Sequence, residues 1–478
     1  MNTTTTVLAI ALVVSIIVII VLAVKKCGVN NIPAPAIDKT ALKNFIYGCP
    51  KTDLHLHIES GTNPTMAFAI AKRNGIQPGT KDVWPWKTEA DLVDALNFKD
   101  LGSFLKIFYA VSAALQKPQD FVDQATNVVN TLQSNNVVHS EIFFDPQTFT
   151  SRGISFQTVA DNFNKGLDTG RKNGMSLRLI MSVLRDSPVG NKIDAQVVKC
   201  TNSWADMSGS TGWNTVVQAV DYNNSLKTRT DIILSDDQKI NWTLIGIGLD
   251  SNEIDFAPEL FSEIYAYAGE NGLFRTAHCG EEGPAEYVWT GIKETKDGGL
   301  GLARIDHGVH CGDDPKLCFK LATPLSTLGV IAAYGRPHRI PITCCPMSNY
   351  RLKVFPDPKK INIAPLLDLG VMCCVNVDDP MYTGDLDSTQ GIKSKWVNAS
   401  WELLIDNCME NSKTTPLTFG NLKELLVNGF MASWLKDDDK AKYIGQVNNY
   451  FLLNTPSLFG ALSPQVVRDT NFRSISRR

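Results

Sequence analysis

Eight short apolar runs recur along this chain, most of them separated by stretches with helical periodicity. They read KTDLHLHI, VVHSEIFF, SLRLIMSVL, TLIGIGLD, LFRTAHCG, RIDHGVH, PITCCPMSN and VMCCVNVDD, with segments such as DFVDQATNVVNTLQSN and PELFSEIYAYAGENG between them. Near-continuous apolar strands belong to parallel sheets buried on both faces, and parallel neighbours need a crossover connection, usually a helix. Strand alternating with helix, eight times over, predicts an α/β fold of the (β/α)8 TIM-barrel type.

In such a barrel the active site lies at the C-terminal ends of the strands. Polar residues gather there: His55 and His57, Asp145, Asp250 and Glu253, His278 and Glu281, His307, Ser348 and Asn349, Asp378 and Asp379. His55 and His57 stand two apart in one strand-like run, so both imidazoles face the same side. Each element alone has a plainer reading. A single His-x-His pair is more often surface or core, a lone histidine is usually an ordinary satisfied side chain, and Asp378-Asp379-Pro380 is most often a turn. Joint placement favours chemistry, because four of the chain's seven histidines and the paired aspartates fall at strand ends of one barrel.

A metal-dependent hydrolase needs three or four nitrogen or oxygen ligands, an open position for water, and an acid and a base nearby. His55, His57 and His278 offer imidazoles and Asp378 a carboxylate. Glu281, three residues past His278, is placed to deliver a proton, and His307 to take one from water. Three imidazoles and a carboxylate suit one Zn2+ per chain, although iron, manganese or cobalt would accept similar ligands. The H-x-E…P-C-x-x-C signature of cytidine-type zinc sites is absent, since no P-C-x-x-C occurs, so the cysteines are not read as ligands.

KTDLHLHIES, AHCGEEGPAEYVW, RIDHGVH, CCPMSNYRLKVF and VNVDDPMY, in this order, resemble the motifs of the adenosine/adenine deaminase family of metal-dependent hydrolases. The resemblance runs from about Pro50 to about Gly384. EIFFDPQTFTSRGISF and GIGLDSNE look like the adenine deaminase branch, as does Glu59, where adenosine deaminases usually carry Asp. The resemblance implies metal ligands at His55, His57, His278 and Asp378, catalytic roles for Glu281 and His307, and substrate contacts at Asp379 and Glu59. Glu281 would protonate the purine ring nitrogen next to the reacting carbon, and Asp379 would bond the imidazole part of the ring. The activity it implies is hydrolysis of adenine to hypoxanthine and ammonia, a step of purine salvage. Adenosine or an N6-substituted purine is the alternative substrate, and a purine-binding pseudoenzyme at a membrane the alternative role. Ser60 stands where the family usually has Gly, Cys279 where it has Ala, and Val377 where Ser or Thr is common. Ser60 is expected to narrow the pocket floor.

The N-terminus reads differently. Val7 to Val24 is eighteen residues without a charge, spanning about 27 Å, close to the ~30 Å hydrocarbon core of a bilayer. No basic residue precedes the run and Lys25-Lys26 follow it, which favours an uncleaved single-pass anchor with the catalytic domain in the cytosol over a cleaved signal peptide. Adjacent Cys344-Cys345 and Cys373-Cys374 point to opposite faces of their strands, an arrangement unlike an extracellular disulfide framework. Net charge is −3 and no basic stripe occurs, so nucleic-acid binding gets no support. The domain reading is an anchor at 1–26, a linker at 27–40, the barrel at 41–460 and a basic tail at 461–478. The polar stretch 199–231 is taken as a surface insertion between the third and fourth strands.

Overall fold

In the computed structural model of the protein, which describes residues 38–81, 83–190, 192, 210–323, 339–383 and 395–458, the first apolar run becomes β1 (Lys51–His57), buried at every position. It pairs in parallel with β2 (Val137–Phe144), Lys51 opposite Val137 and Leu56 opposite Ile142. β3 (Ser176–Leu184) and β4 (Gly246–Asp250) continue the sheet with parallel pairing. The fifth run is interrupted. β5 (Phe274–Arg275) pairs with β4, and β6 (His278–Cys279) pairs with β7 (Ile305–His307). The two residues between them still bond outward, Thr276 N–H to Ile247 O at 3.0 Å and Ala277 O from Asp306 N–H at 2.8 Å. One barrel position is therefore shared between two neighbours. β8 (Ile342–Cys344) and β9 (Cys373–Val375) complete the set.

The ring closes at Asp378. A parallel bridge joins it to Leu56, with Asp378 N–H donating to His55 O at 2.7 Å and His57 N–H to Asp378 O at 3.1 Å. The helix Phe419–Ala432 covers this seam, and its Gly429 lies so close to Thr52 that a side chain there would collide with the threonine hydroxyl. Strand interiors and helix faces share one main core, including Leu56, Ile142, Leu179, Leu249 and Ile342.

Two features differ from expectation. The stretch 199–231 is not a surface insertion throughout. From Gly212 to Ser225 it is a helix with Trp213, Val216, Val217, Ala219, Val220 and Tyr222 buried. It is the crossover between β3 and β4. One of its polar residues pairs with the backbone just before β4: Asn223 donates to Leu244 O at 2.9 Å and accepts from Leu244 N–H at 2.8 Å. The second feature is a cap between β1 and β2, which no apolar run announced. Helices Pro64–Arg73, Glu89–Ala95 and Leu101–Ser112 carry their own cluster of Trp84, Leu92, Phe104 and Phe108, joined by Tyr382 from the far side of the mouth. The helix Leu101–Ser112 begins at a capping box formed by Asp100 and Ser103 and turns an apolar face of Leu101, Phe104 and Phe108 inward.

The anchor read at 7–24, nearly all of the linker and the tail at 461–478 lie outside the described residues. Among the described residues no helix is long and apolar enough to cross a membrane. The nine described cysteines, the two adjacent pairs included, are buried free thiols.

Candidate active site

The end of β1 delivers two imidazoles into the barrel mouth. His55 is fully buried, and its Nδ1 lies 2.9 Å from Thr343 Oγ1. Thr343 donates to Asp306 Oδ1 at 2.9 Å, and Thr276 donates to Asp306 Oδ2 at 2.6 Å. This relay fixes the ring with Nε2 turned toward the mouth. His57 has its Nδ1 3.6 Å from Asp250 Oδ2 and 3.9 Å from Asp145 Oδ1. His278, opening β6, sets its ring 4.7 Å from that of His55 and 5.3 Å from that of His57, centroid to centroid. Asp378 Oδ1 stands 3.5 Å from Nε2 of both His55 and His57. His307, ending β7, has its ring 4.6 Å from His55 and 4.7 Å from His278.

The Nε2 atoms of His55, His57, His278 and His307 are all buried without a hydrogen-bond partner. A buried polar atom left unpaired costs about 1–3 kcal/mol. Four of them turned into one space form a donor set for a cation. Ligand atoms of His55, His57 and His278 lie within 4.8 Å of one another, as do those of His55, His307 and Asp378. The side chains present therefore fit a divalent metal. His307 and Asp378 both hold positive φ, 62° and 74°. Non-glycine residues in that region are strained, and strain of this kind gathers at functional sites.

Glu281 follows β6 on a loop held by one carboxylate. Glu253 accepts the backbone N–H groups of Gly280 at 2.6 Å, Glu281 at 2.9 Å, Glu282 at 3.0 Å and Gly283 at 2.9 Å. A Cβ on Gly283 would stand 2.8 Å from the Glu253 carboxyl, so only glycine permits this approach. The Glu281 carboxyl accepts from Asn349 Nδ2 at 3.0 Å and lies 3.3 Å from His307 Nε2. Burial, then the negative charge of Asp378, push Glu281 well above the usual carboxylate range. Burial and Asp378 do the same to Asp379. Burial holds His55 and His278 well below the ordinary imidazole value, helped by the neighbouring His307. Burial pulls His57 the same way, but Asp379, Asp145 and Asp250 outweigh it and leave His57 raised. The site thus sets a carboxyl shifted up beside imidazoles shifted down, with carboxylates gathered around His57.

The cavity above these groups is walled on the barrel side by His57, His278, Glu281, Asp378 and Asp379, and on the cap side by Leu101, Phe104, Phe108 and Tyr109. His55 and His307 sit deeper. Glu59 and Ser60 are not on the wall. Glu59 instead accepts from Asp145 N–H at 2.8 Å, and the Ser60 hydroxyl donates to His57 O at 2.7 Å, bracing the turn after β1, while the same side chain touches the Asp379 carboxyl on the wall. The cap side chains, Thr343 and Asp306 escaped the sequence reading. The signal for the cap was the i, i+3, i+7 apolar spacing of Leu101, Phe104 and Phe108.

A family model described as adenosine deaminase matches residues 50–211 and 237–450. The adenine deaminase of Chlorobium phaeobacteroides is 34% identical over 410 residues, covering 86% of this chain and 98% of that protein. The crystal structure of adenine deaminase from Arthrobacter aurescens aligns with a TM-score of 0.63 at 29% identity, covering 84% of this chain and 99% of that one. An amidohydrolase from Burkhoderia ambifaria with bound zinc, 23% identical, shares the fold at a TM-score of 0.64, covering 89% of this chain and 97% of its own.

Proposed function

Because this chain belongs to the adenosine deaminase family, we propose that it hydrolyses the exocyclic C–N bond of adenine, giving hypoxanthine and ammonia in purine salvage. The observation that carries the reading is the convergence of four unpartnered imidazole nitrogens, Asp378 and the Glu281 carboxyl at one barrel mouth.

His55, His57, His278 and Asp378 would hold the metal, and three imidazoles with a carboxylate favour zinc. When bound, it supplies a Lewis acid that makes water a nucleophile near neutral pH. The remaining work belongs to the side chains. Aromatic adenine resists addition at C6, so the ring nitrogen beside that carbon must gain a proton as water adds. Glu281, aimed by Glu253 and Asn349, donates it and recovers a proton from the hydroxyl on C6 as the carbonyl forms. His307 takes a proton from the attacking water and returns it to the departing amino group, which leaves as ammonia. Asp379 accepts a hydrogen bond from the imidazole part of the purine, and Glu59 orders the wall through Asp145. Leu101, Phe104 and Phe108 exclude water from the apolar face of the ring. The apolar run at 7–24 would anchor this domain to a membrane, on its cytosolic side.

The test is ammonia release by the purified chain from adenine, adenosine and N6-methyladenine side by side. Adenine is expected to be fastest. Adenine inert while another purine is turned over would replace the substrate, and no turnover of any of them would leave a purine-binding protein.

A further inference from the structure

Tyr109 occupies an unusual position. It rides on the cap helix Leu101–Ser112, and its hydroxyl lies 3.0 Å from Ser251 Oγ, just past the end of β4. The pair spans the mouth from cap to barrel. Ser251 holds a positive φ of 69°, so the chain bends sharply where it meets the tyrosine. The phenol lines the inner cavity beside His57, Glu281 and Asp379. It also lines an outer cavity of about 360 Å³, walled by Asp100, Lys106, Asp186, Asn252 and Glu282. A second outer cavity, of about 440 Å³, touches Tyr109 on the side of Leu184 and Arg152. Tyr109 is common to all three.

The two sides of the ring differ in free space. Inside, the cap contributes apolar Leu101, Phe104 and Phe108, and the free space is tight, about 30 Å³. Outside, the space is wider, and beside Leu101 and Leu105 its rim carries Asp100, Lys106, Asp186, Asn252 and Glu282, which can bond hydroxyl groups. A flat heteroaromatic ring is accepted when the apolar side chains draw back slightly. A ring carrying a sugar needs the partition itself removed.

Resting on the adenine reading above, we infer that Tyr109 is the residue that restricts this site to free bases: its ring, latched by Ser251, blocks the passage a ribosyl group would take into the wider outer cavity. The aromatic ring does the excluding, and the hydroxyl holds it in place.

The experiment compares kcat/KM for adenine and for adenosine in the full chain and in Tyr109→Ala, Tyr109→Leu, Tyr109→Phe and Ser251→Ala, with circular dichroism and metal content as checks on folding. The parent chain is expected to prefer adenine strongly. Tyr109→Ala should raise kcat/KM for adenosine at least about tenfold while lowering that for adenine, within the range that pocket contacts discriminate. Tyr109→Leu should shift in the same direction, and it serves if the alanine variant fails to fold. Tyr109→Phe keeps the ring and should keep the exclusion. Ser251→Ala should relax it part of the way. Folded variants in which adenine and adenosine fall together, with their ratio unchanged, would overturn the inference and leave the adenine reading standing. A parent chain inert toward adenine would sink that reading instead, and this inference with it.

Discussion

The barrel buries charge at both of its ends, and the two ends treat it oppositely. At the foot, Arg304 donates to Glu141 and lies 4.3 Å over the ring of Trp434, whose backbone N–H also bonds to Glu141. His139 Nε2 completes the group at 3.2 Å. Opposite charges face one another there, and Glu141 is pulled down to about 2, burial being outweighed by Arg304 and His139. At the mouth, like groups face one another. Imidazole nitrogens go without partners, and Glu281 and Asp379 are pushed up by burial and by Asp378. Positive φ values at Ser251, His307 and Asp378 add backbone strain at this end. Arg304 Nε and Nη2 also lack hydrogen-bond partners, so what separates the two ends is that the foot sets a cation against a carboxylate while the mouth turns four imidazole nitrogens toward one another.

Substitutions at the two ends should therefore fail in different ways. Glu281→Gln removes the acid but keeps the shape, so kcat should drop about 10²–10⁴-fold with thermal midpoint and metal content retained. Steady-state kinetics beside calorimetry would show it, and turnover close to the parent's would take Glu281 out of the chemistry. Arg304→Leu leaves Glu141 buried without its cation and should lose about 3–5 kcal/mol in urea unfolding, with KM for adenine unchanged. Lost turnover in a fully stable variant would erase the distinction between foot and mouth.

The foot should also report through pH. Glu141 sits at about 2 when folded against 4.5 for the ordinary group. A depressed carboxylate contributes its stability above the ordinary value and loses it as pH falls through the folded one. That contribution, about 3 kcal/mol, should drain away between about pH 4.5 and 2. Unfolding free energies across that window should show a shallower slope in Glu141→Gln than in the parent, and parallel slopes would contradict the assignment. The smallest effect is expected at Thr343→Val, which releases His55 Nδ1. Metal affinity should fall about 10–100-fold in a chelator competition, with about 1–3 kcal/mol of stability lost as His55 Nδ1 and Asp306 Oδ1 lose their shared partner.

The mouth was legible in the sequence because each strand ends by exchanging apolar residues for a polar one, and the ends of a barrel meet. His55, His57, His278, His307 and Asp378 all lie where that logic puts them. The cap was not legible, since an amphipathic helix such as Leu101–Ser112 declares an apolar face without saying what it covers. The helix Gly212–Ser225 was misread for a different reason. Its Asn214, Thr215, Gln218 and Asn223 look solvated, but Asn223 pairs with the backbone of Leu244 inside the fold. Composition counts polar atoms and does not say which partner satisfies them. Glu253 shows the reverse: it was visible as a strand-end carboxylate, but four backbone donors aimed at it exist only in three dimensions.

The central claim is that the unpartnered nitrogens at the mouth exist to bind a metal that adenine hydrolysis requires. The most direct test is metal analysis of the purified chain and of His278→Ala, each assayed for ammonia release from adenine before and after chelation and reloading with zinc. The account predicts about one metal per parent chain, turnover that disappears with chelation and returns with zinc, and neither metal nor turnover in the variant. Full turnover in the metal-stripped parent would contradict it.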